Sequence, residues 1–170
     1  MKKVLIVVDM QKDFIDGALG SPAAQKIVSA VKDRIAEYIV NGDTIIYTKD
    51  THDDNYMNTN EGKHLPFPHC IGGTEGWEIP SDIYVEGCKV ILKPAFGFIN
   101  WTSVSELADA DEIELVGLCT DICVMSNAII LKALYPETKV AVKKNCTAAT
   151  SDTAYNASMT IFNSCQVDLI

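Results

Sequence analysis

The sequence predicts an α/β fold, a three-layer α/β/α sandwich around a six-stranded, mostly parallel, Rossmann-like sheet. Two observations predict it. Short apolar runs alternate with segments of helical periodicity, and the runs are apolar at nearly every position, as in strands buried on both faces. This alternation favours right-handed crossovers. The carboxyl ends of the strands should therefore meet at one edge, where ligands bind in open α/β folds.

The first half of the chain predicts two strands and one long helix. Strand one covers about 3–8 and strand two about 44–48. Between them, Pro22 opens a helix whose apolar residues recur at helical spacing and which ends at the turn 41–43. The segment from about 51 to 86 has little periodicity. An irregular stretch of this length in a compact domain is usually functional.

The second half predicts four more strands and three helices. The strands cover about 90–92, 113–118, 139–142 and 167–170, and the helices about 103–108, 121–134 and 152–164. Val85 is a further candidate for the start of a short strand. Thr120 or Asp121 can cap the middle helix, and Ser151 belongs to the cap of the last one.

Length, charge and cysteine usage narrow the class of protein. The 170 residues fit one domain, 1–170, and a net charge of −9 argues against a nucleic-acid partner. Asp9 interrupts the first apolar run too early for a signal peptide, and no run approaches the roughly 20 residues of a membrane span. We expect a cytoplasmic homo-oligomer with reduced cysteines, acting on a small molecule without a membrane or nucleic-acid partner.

Three chemically capable residues follow predicted strands. Cys123 falls in the first turn of a helix, where the positive helix end lowers a thiol pKa and backbone amides can hold an oxyanion. Lys93 ends one strand and Asp9 another, so the three should converge. Taken singly, each has an ordinary alternative. Cys123 can be a buried apolar residue, Lys93 can snorkel to water, and Asp9 can cap a turn.

The irregular segment also contains residues that bind metals. Asp50 and His52 stand two residues apart, and Glu61 and His69 follow. Two nitrogen and two oxygen donors suit Zn²⁺, Fe²⁺ or Mn²⁺, with water completing the shell. The alternative is a set of polar loop residues, and His64 is a lesser candidate ligand.

Six motifs carry these residues. They are Val8-Asp9-Met10-Gln11-Lys12-Asp13-Phe14, Gly17-Ala18-Leu19-Gly20, Asp50-Thr51-His52, Pro68-His69-Cys70-Ile71-Gly72-Gly73-Thr74-Glu75-Gly76, Lys93 before Phe96, and Val116-Gly117-Leu118-Cys119-Thr120-Asp121-Ile122-Cys123-Val124. In this order and spacing they resemble the isochorismatase-like cysteine hydrolase superfamily over nearly the whole chain. The resemblance implies the six-stranded sandwich and an Asp9–Lys93–Cys123 triad. It also implies a cis peptide between Leu118 and Cys119, which would aim the amides of Cys119 and Cys123 into an oxyanion hole.

Within the superfamily, Asp-x-His followed by His-Cys-Ile-x-Gly-Thr resembles the nicotinamidases, also called pyrazinamidases. This resemblance implies one divalent metal, most simply Zn²⁺, that holds a pyridine nitrogen. Its ligands would be Asp50, His52 and His69, with Glu61 as the carboxylate fourth ligand of some members. Other members use a histidine, where this chain offers Asn58 or His64. Phe14 matches an aromatic residue that packs against the ring, and Phe67 is a candidate for a second one.

The resemblance therefore implies a metal-assisted amidohydrolase that converts nicotinamide to nicotinate through a Cys123 thioester, a reaction of NAD salvage. The alternative within the superfamily is hydrolysis of another small amide, carbamoyl or ureido compound. A flavodoxin-like or dinucleotide-binding module is a different class. It would need a glycine-rich turn after strand one, where the chain reads Asp9-Met10-Gln11-Lys12-Asp13.

Overall fold

Six parallel strands form one sheet in the computed structural model, which describes all 170 residues. The strands are β1 Lys3–Val8, β2 Thr44–Asp50, β3 Lys89–Lys93, β4 Glu112–Leu118, β5 Lys139–Ala148 and β6 Asp168–Leu169. Their order across the sheet is β3-β2-β1-β4-β5-β6, and every neighbouring pair is parallel. The predicted fold class is confirmed. The order reverses between β1 and β4, so the crevice between their carboxyl ends is the expected ligand site.

Helices cover both faces of the sheet. They are α1 Lys12–Ile15, α2 Pro22–Asn41, α3 Asn60–His64, α4 Met125–Leu134 and α5 Asp152–Ser164. The long helix α2 has the predicted ends. Ser21 caps it by accepting a hydrogen bond from the Ala24 amide at 3.0 Å, and Gly42 ends it in the left-handed conformation at φ 71°.

The residues of β1 alternate between two hydrophobic clusters. Val4, Ile6 and Val8 belong to a cluster of 19 buried residues, whereas Leu5 and Val7 belong to one of 17 on the other face. A strand that is apolar at every position therefore fills both layers at once. No helix has the length and apolar character needed to cross a bilayer.

The structure corrects three local predictions. The helix predicted at 103–108 is a pair of short 3₁₀ turns, Trp101–Ser103 and Ser105–Leu107, in which the Val104 and Leu107 amides donate to carbonyls three residues earlier. Val85 starts no strand, and its amide donates to the Tyr47 hydroxyl at 3.2 Å. Strand β5 extends beyond its predicted end to Ala148, since a register shift lets it keep pairing with β4.

The predicted cap of the helix after β4 is also wrong. Residues Thr120–Val124 form a π-helical turn that precedes α4 and has no side-chain cap. The Thr120 hydroxyl lies 2.7 Å from that of Thr147, and the Asp121 carboxylate accepts from the Thr150 amide at 3.0 Å. Both side chains therefore tie the turn to the end of β5 and the start of α5 instead of capping a helix.

We expect Gly117→Ala to destabilise the fold more than Gly42→Ala. Both glycines have positive φ, 111° and 71°, but a Cβ at Gly117 would overlap the Val8 carbonyl oxygen, whereas a Cβ at Gly42 would meet nothing within 4 Å. Gly42→Ala should cost about 1 kcal/mol and Gly117→Ala at least about 2 kcal/mol more in free energy of unfolding, measured by urea denaturation. Equal losses would contradict this account.

Candidate active site

The chain places Asp9 at the sheet reversal by a sharp turn directly after β1. Its backbone is left-handed, at φ 46°, and its side chain is fully buried. The neighbouring strand β2 orients it, since the Thr48 hydroxyl donates to Asp9 Oδ1 at 2.6 Å and the Asp9 amide donates to the Thr48 carbonyl at 3.2 Å. The second carboxylate oxygen, Oδ2, therefore faces the site.

Lys93 ends β3 and is fully buried, so it does not snorkel to water. Its Nζ lies 2.6 Å from Asp9 Oδ2 and 3.3 Å from Asp50 Oδ1, and it donates to the Ala95 carbonyl at 3.1 Å and to Cys123 Sγ at 3.4 Å. Asp9 Oδ2 has no partner of full hydrogen-bond geometry despite this ion pair. It therefore keeps capacity to accept a proton.

Cys123 lies in the π-helical turn between β4 and α4 and is buried. The peptide bond between Leu118 and Cys119, just before this turn, is cis. The Cys119 amide donates to no acceptor within the protein, so its N–H is available to a ligand. The structure thus brings the carboxylate of Asp9, the ammonium of Lys93 and the thiol of Cys123 together as the motifs predict.

The charges in the site favour a single proton that is shared between the Cys123 thiol and the Asp9 carboxylate. Burial and the Asp9 charge raise the pKa of the Cys123 thiol well above its usual value, although Lys93 opposes them. Burial also raises the pKa of Asp9, again against the effect of Lys93. One buried ammonium does not balance a thiolate and a carboxylate together. A proton shared between these two groups is the arrangement that the site stabilises.

Asp50, His52, Glu61 and His69 form a cluster of four potential metal ligands, whose donor atoms all lie within 4.8 Å of one another. His52 Nε2 lies 3.0 Å from Asp50 Oδ2 and 3.7 Å from Glu61 Oε1, and His69 Nε2 lies 3.5 Å and 3.8 Å from the same two atoms. Donors about 2.0–2.2 Å from a tetrahedral zinc ion lie about 3.3–3.6 Å apart. The donor set fits such an ion.

Local structure orients these ligands. The Phe67 carbonyl lies 2.8 Å from His69 Nδ1, which fixes the ring and leaves Nε2 for a metal. Hydrogen bonds from His52 and His69 and the Lys93 charge together outweigh burial and lower the pKa of Asp50 below its usual range. Asp50 is therefore ionised, as a ligand must be.

The position of the short helix α3 makes Glu61, and not His64 or Asn58, the fourth potential metal ligand. A Cβ at Gly62 would overlap the Tyr56 carbonyl, so a glycine lets α3 pack closely and brings Glu61 to the cluster. His64 instead points to solvent, where its Nδ1 lies 2.8 Å from the Asn60 carbonyl. Neither His64 nor Asn58 joins the four donors.

A cavity of about 290 Å³ joins the thiol to the metal-ligand cluster. Its wall includes Cys123 together with Asp50, Glu61 and His69. The apolar part of the wall consists mainly of Phe14, Leu19, Leu65, Phe96, Leu118 and Ile122. A small ligand in this cavity would touch the nucleophile candidate and the cluster at the same time.

Of the two predicted aromatic contacts, the structure places only Phe14 in the cavity wall. Phe67 is 56% exposed and does not line the cavity, so its assignment as a substrate contact is wrong. The reason is local geometry, since the backbone of Phe67 turns inward to His69 while its ring points outward. Leu65 and Phe96 occupy the wall instead.

Two polar residues of the first motif support the site and were not singled out from the sequence. Gln11 is fully buried, and its Oε1 accepts from the Asp50 amide at 2.7 Å while its Nε2 donates to the Asp50 carbonyl at 2.9 Å. Asp13 accepts from the Cys70 amide at 2.8 Å. The sequence shows Gln11 and Asp13 as polar residues close to Asp9. Their spacing does not indicate that their hydrogen-bond partners are Asp50 and Cys70, which lie far away along the chain.

A buried thiol, ammonium and carboxylate at the reversal point of a Rossmann-like sheet define the class of α/β cysteine hydrolases. The comparison with protein families agrees and is more specific. The chain belongs to the isochorismatase family, because the Isochorismatase domain model matches residues 3–170.

Individual relatives agree with this membership. An uncharacterized isochorismatase family protein of Bacillus subtilis, PncA, is 33% identical over 144 residues, which cover 76% of this chain and 78% of the relative. The nicotinamidase/pyrazinamidase of Mycobacterium tuberculosis is 27% identical over 146 residues, covering 74% and 76%.

Solved structures share the fold over almost the full chain. The pyrazinamidase of Pyrococcus horikoshii in complex with zinc superposes with a TM-score of 0.86 at 26% identity, covering 100% of this chain and 99% of that one. The N-carbamoylsarcosine amidase of Thermoplasma acidophilum gives a TM-score of 0.83 at 28% identity, covering 99% and 95%.

The four-donor cluster leads us to expect about one Zn²⁺ per chain. Zinc at 100 times its dissociation constant should stabilise the wild-type fold by about 2.7 kcal/mol, because it binds only the folded site. His52→Ala removes one donor and should lose both binding and stabilisation. The matched control His64→Ala should keep both, since His64 lies outside the cluster. Calorimetric zinc titration and thermal unfolding measure these effects. Wild-type affinity in His52→Ala would contradict the assignment.

Proposed function

We propose that this protein is a metal-assisted cysteine amidohydrolase that converts nicotinamide and water to nicotinate and ammonia. The observation that carries the proposal is the cavity shared by Cys123 and three members of the metal-ligand cluster. Similarity to a nicotinamidase/pyrazinamidase and to a zinc-complexed pyrazinamidase supports it.

In this proposal Cys123 is the nucleophile and Asp9 the general base. The thiol proton passes to Asp9 while sulfur forms a bond to the amide carbon. The carbon–nitrogen bond then breaks, and the proton on Asp9 goes to the leaving group, which departs as ammonia. Water next attacks the thioester carbon and gives one proton to Asp9. The carbon–sulfur bond breaks and nicotinic acid leaves, its acid proton passing to ammonia, while the proton on Asp9 returns to sulfur.

Lys93 and two backbone amides stabilise the negative charge that develops during these reaction steps. The Lys93 ammonium lies against both Asp9 and Cys123, so it stabilises whichever of them holds the charge. We assign the oxyanion hole to the amides of Cys119, which directly precedes the π-helical turn, and of Cys123, which lies within it. Preorganised donors of this kind often contribute the largest single part of the rate enhancement.

Asp50, His52, Glu61 and His69 would hold the metal, and Zn²⁺ suits their two nitrogens and two carboxylates. When bound, the ion supplies a Lewis acid for a pyridine nitrogen, which would fix the ring beside the thiol. Phe14 lines the same cavity, with its ring centroid 5.5 Å from that of His69. We assign Phe14 to packing against the substrate ring.

A second candidate substrate class is a carbamoyl or ureido compound, favoured by the similarity to N-carbamoylsarcosine amidase. The cavity argues for a neutral amide instead. No arginine or lysine lines it, so apart from the metal ion a substrate carboxylate would find no cationic partner there. Carbamoyl amino acids carry such a carboxylate and nicotinamide does not.

The remaining expectations from the sequence belong to this proposal. Nicotinate is a precursor for NAD, which places the reaction in NAD salvage. Cytoplasmic location and homo-oligomeric assembly remain predictions from the sequence.

Removal of the nucleophile should abolish turnover without unfolding the chain. Cys123→Ala should lower the rate constant of ammonia release from nicotinamide by at least about 10³-fold, and Asp9→Asn should do the same, since the two act as a unit. Cys165→Ala is the control, because Cys165 lies at the end of α5 outside the cavity. Substantial activity in folded Cys123→Ala would refute the assignment.

The substrate itself is tested by varying the ring. Pyrazinamide keeps a ring nitrogen at the matching position and should be a good substrate, whereas benzamide lacks it and should be poor. An ammonia-release assay across nicotinamide, pyrazinamide, benzamide and a ureido compound, with and without chelator, measures this. Benzamide cleaved as fast as nicotinamide would contradict anchoring through the ring nitrogen. Cleavage of the ureido compound alone would favour the second candidate.

A further inference from the structure

Asn127 is a fully buried amide in a helix, α4, that is otherwise largely apolar. Its Nδ2 donates to the Cys123 carbonyl at 2.8 Å and to the Phe96 carbonyl at 3.1 Å. Its Oδ1 accepts from the Phe98 amide at 2.9 Å and from the Trp101 indole N–H at 3.1 Å. Two donated and two accepted bonds use the full capacity of a carboxamide.

These four bonds join two parts of the candidate active site that are distant in sequence. Lys93 ends β3, and its Nζ donates to the Ala95 carbonyl in the segment that follows, which continues through Phe96, part of the cavity wall. Asn127 ties this segment to the turn that carries Cys123. Gly97 lets the segment approach α4, since a Cβ there would lie 2.6 Å from Ile130 Cδ1.

The backbone of this segment depends on Asn127 for its polar contacts. The amide of Phe98 and the carbonyl of Phe96 turn toward α4, and Asn127 supplies a hydrogen-bond partner to each. Without the carboxamide both groups lose their partners on α4, and the hydrogen bonds that hold the segment against this helix are gone. The segment would then be free to shift, and it carries Phe96 of the cavity wall and directly follows Lys93.

We propose that Asn127 is a positioning residue for the reaction: it fixes the Cys123 thiol relative to the Lys93 ammonium and holds Phe96 against the cavity. The inference rests on the role proposed above for Cys123. The Nδ2 bonds are the important ones, because each ends on a carbonyl of a residue that meets the ligand cavity. Asn127 itself does not line the cavity, so it acts through these residues.

The test uses two variants and a matched control. Asn127→Ala and Asn127→Leu both remove all four bonds, and Asn127→Leu keeps the side-chain volume without adding a charge. Tyr38→Phe is the control. It deletes one buried hydrogen bond, from the Tyr38 hydroxyl to Glu114 at 3.1 Å, in a region outside the cavity.

The unfolding midpoint of every variant is measured first. Below that midpoint, kcat and KM for nicotinamide are measured, together with the rate of Cys123 alkylation by iodoacetamide, followed by mass spectrometry of the peptide that contains Cys123. Both Asn127 variants should show at least a tenfold lower kcat and at least a fivefold slower alkylation, because the thiol loses its place beside Lys93. Tyr38→Phe should lower the midpoint and change neither rate by more than twofold.

The alkylation rate decides the outcome. A purely structural role would lower the midpoint of the Asn127 variants and leave alkylation of the folded protein within twofold of wild type, and that result would overturn the proposal. Asn127→Leu keeps the side-chain volume, so it remains informative if Asn127→Ala does not fold. If wild type hydrolyses no nicotinamide, the proposed function fails, and the alkylation comparison still tests the position of Cys123.

Discussion

The buried ammonium of Lys93 is the charge around which the site is organised. Removing a charge from water costs several kcal/mol unless partners compensate it, and here Asp9 and Asp50 lie 2.6 Å and 3.3 Å from Nζ. Lys93 and its two partners lie at the ends of three adjacent strands, so the strand order β3-β2-β1 brings these charges together. Cys123, beyond β4, meets the same ammonium across the reversal of the sheet.

Supporting contacts turn this charge balance into a fixed geometry. The Gln11 side chain forms hydrogen bonds with both the amide and the carbonyl of Asp50, and Thr48 orients Asp9 from the adjacent strand. The tie through Asn127 does the same for the turn that bears Cys123. Asp50, Asp9 and the turn of Cys123 are therefore each held by a side chain from another part of the chain, and such supporting contacts are what keep a site in a fixed geometry.

Local patterns were sufficient to predict the strands, the long helix and the residues at the strand ends. The runs before Asp9, Asp50 and Lys93 are apolar enough to be read directly, and parallel packing then brings their ends together. Contacts between residues that lie far apart in the chain could not be predicted from the sequence. Nothing near Phe67 shows that its ring faces solvent, and an asparagine within the apolar run of α4 indicates a buried polar group without naming its partners.

Asp50 has one further consequence, because its two oxygens serve different neighbours. Oδ1 faces the ammonium of Lys93, while Oδ2 faces His52 and His69. A divalent ion bound by the histidines would attract the Asp50 carboxylate and so weaken its interaction with the Lys93 ammonium. Occupancy of the cluster and ionisation of the thiol are then thermodynamically coupled, and such coupling is reciprocal. A reversible ligand of the thiol would shift the affinity for the ion by the same factor as the ion shifts the affinity for that ligand.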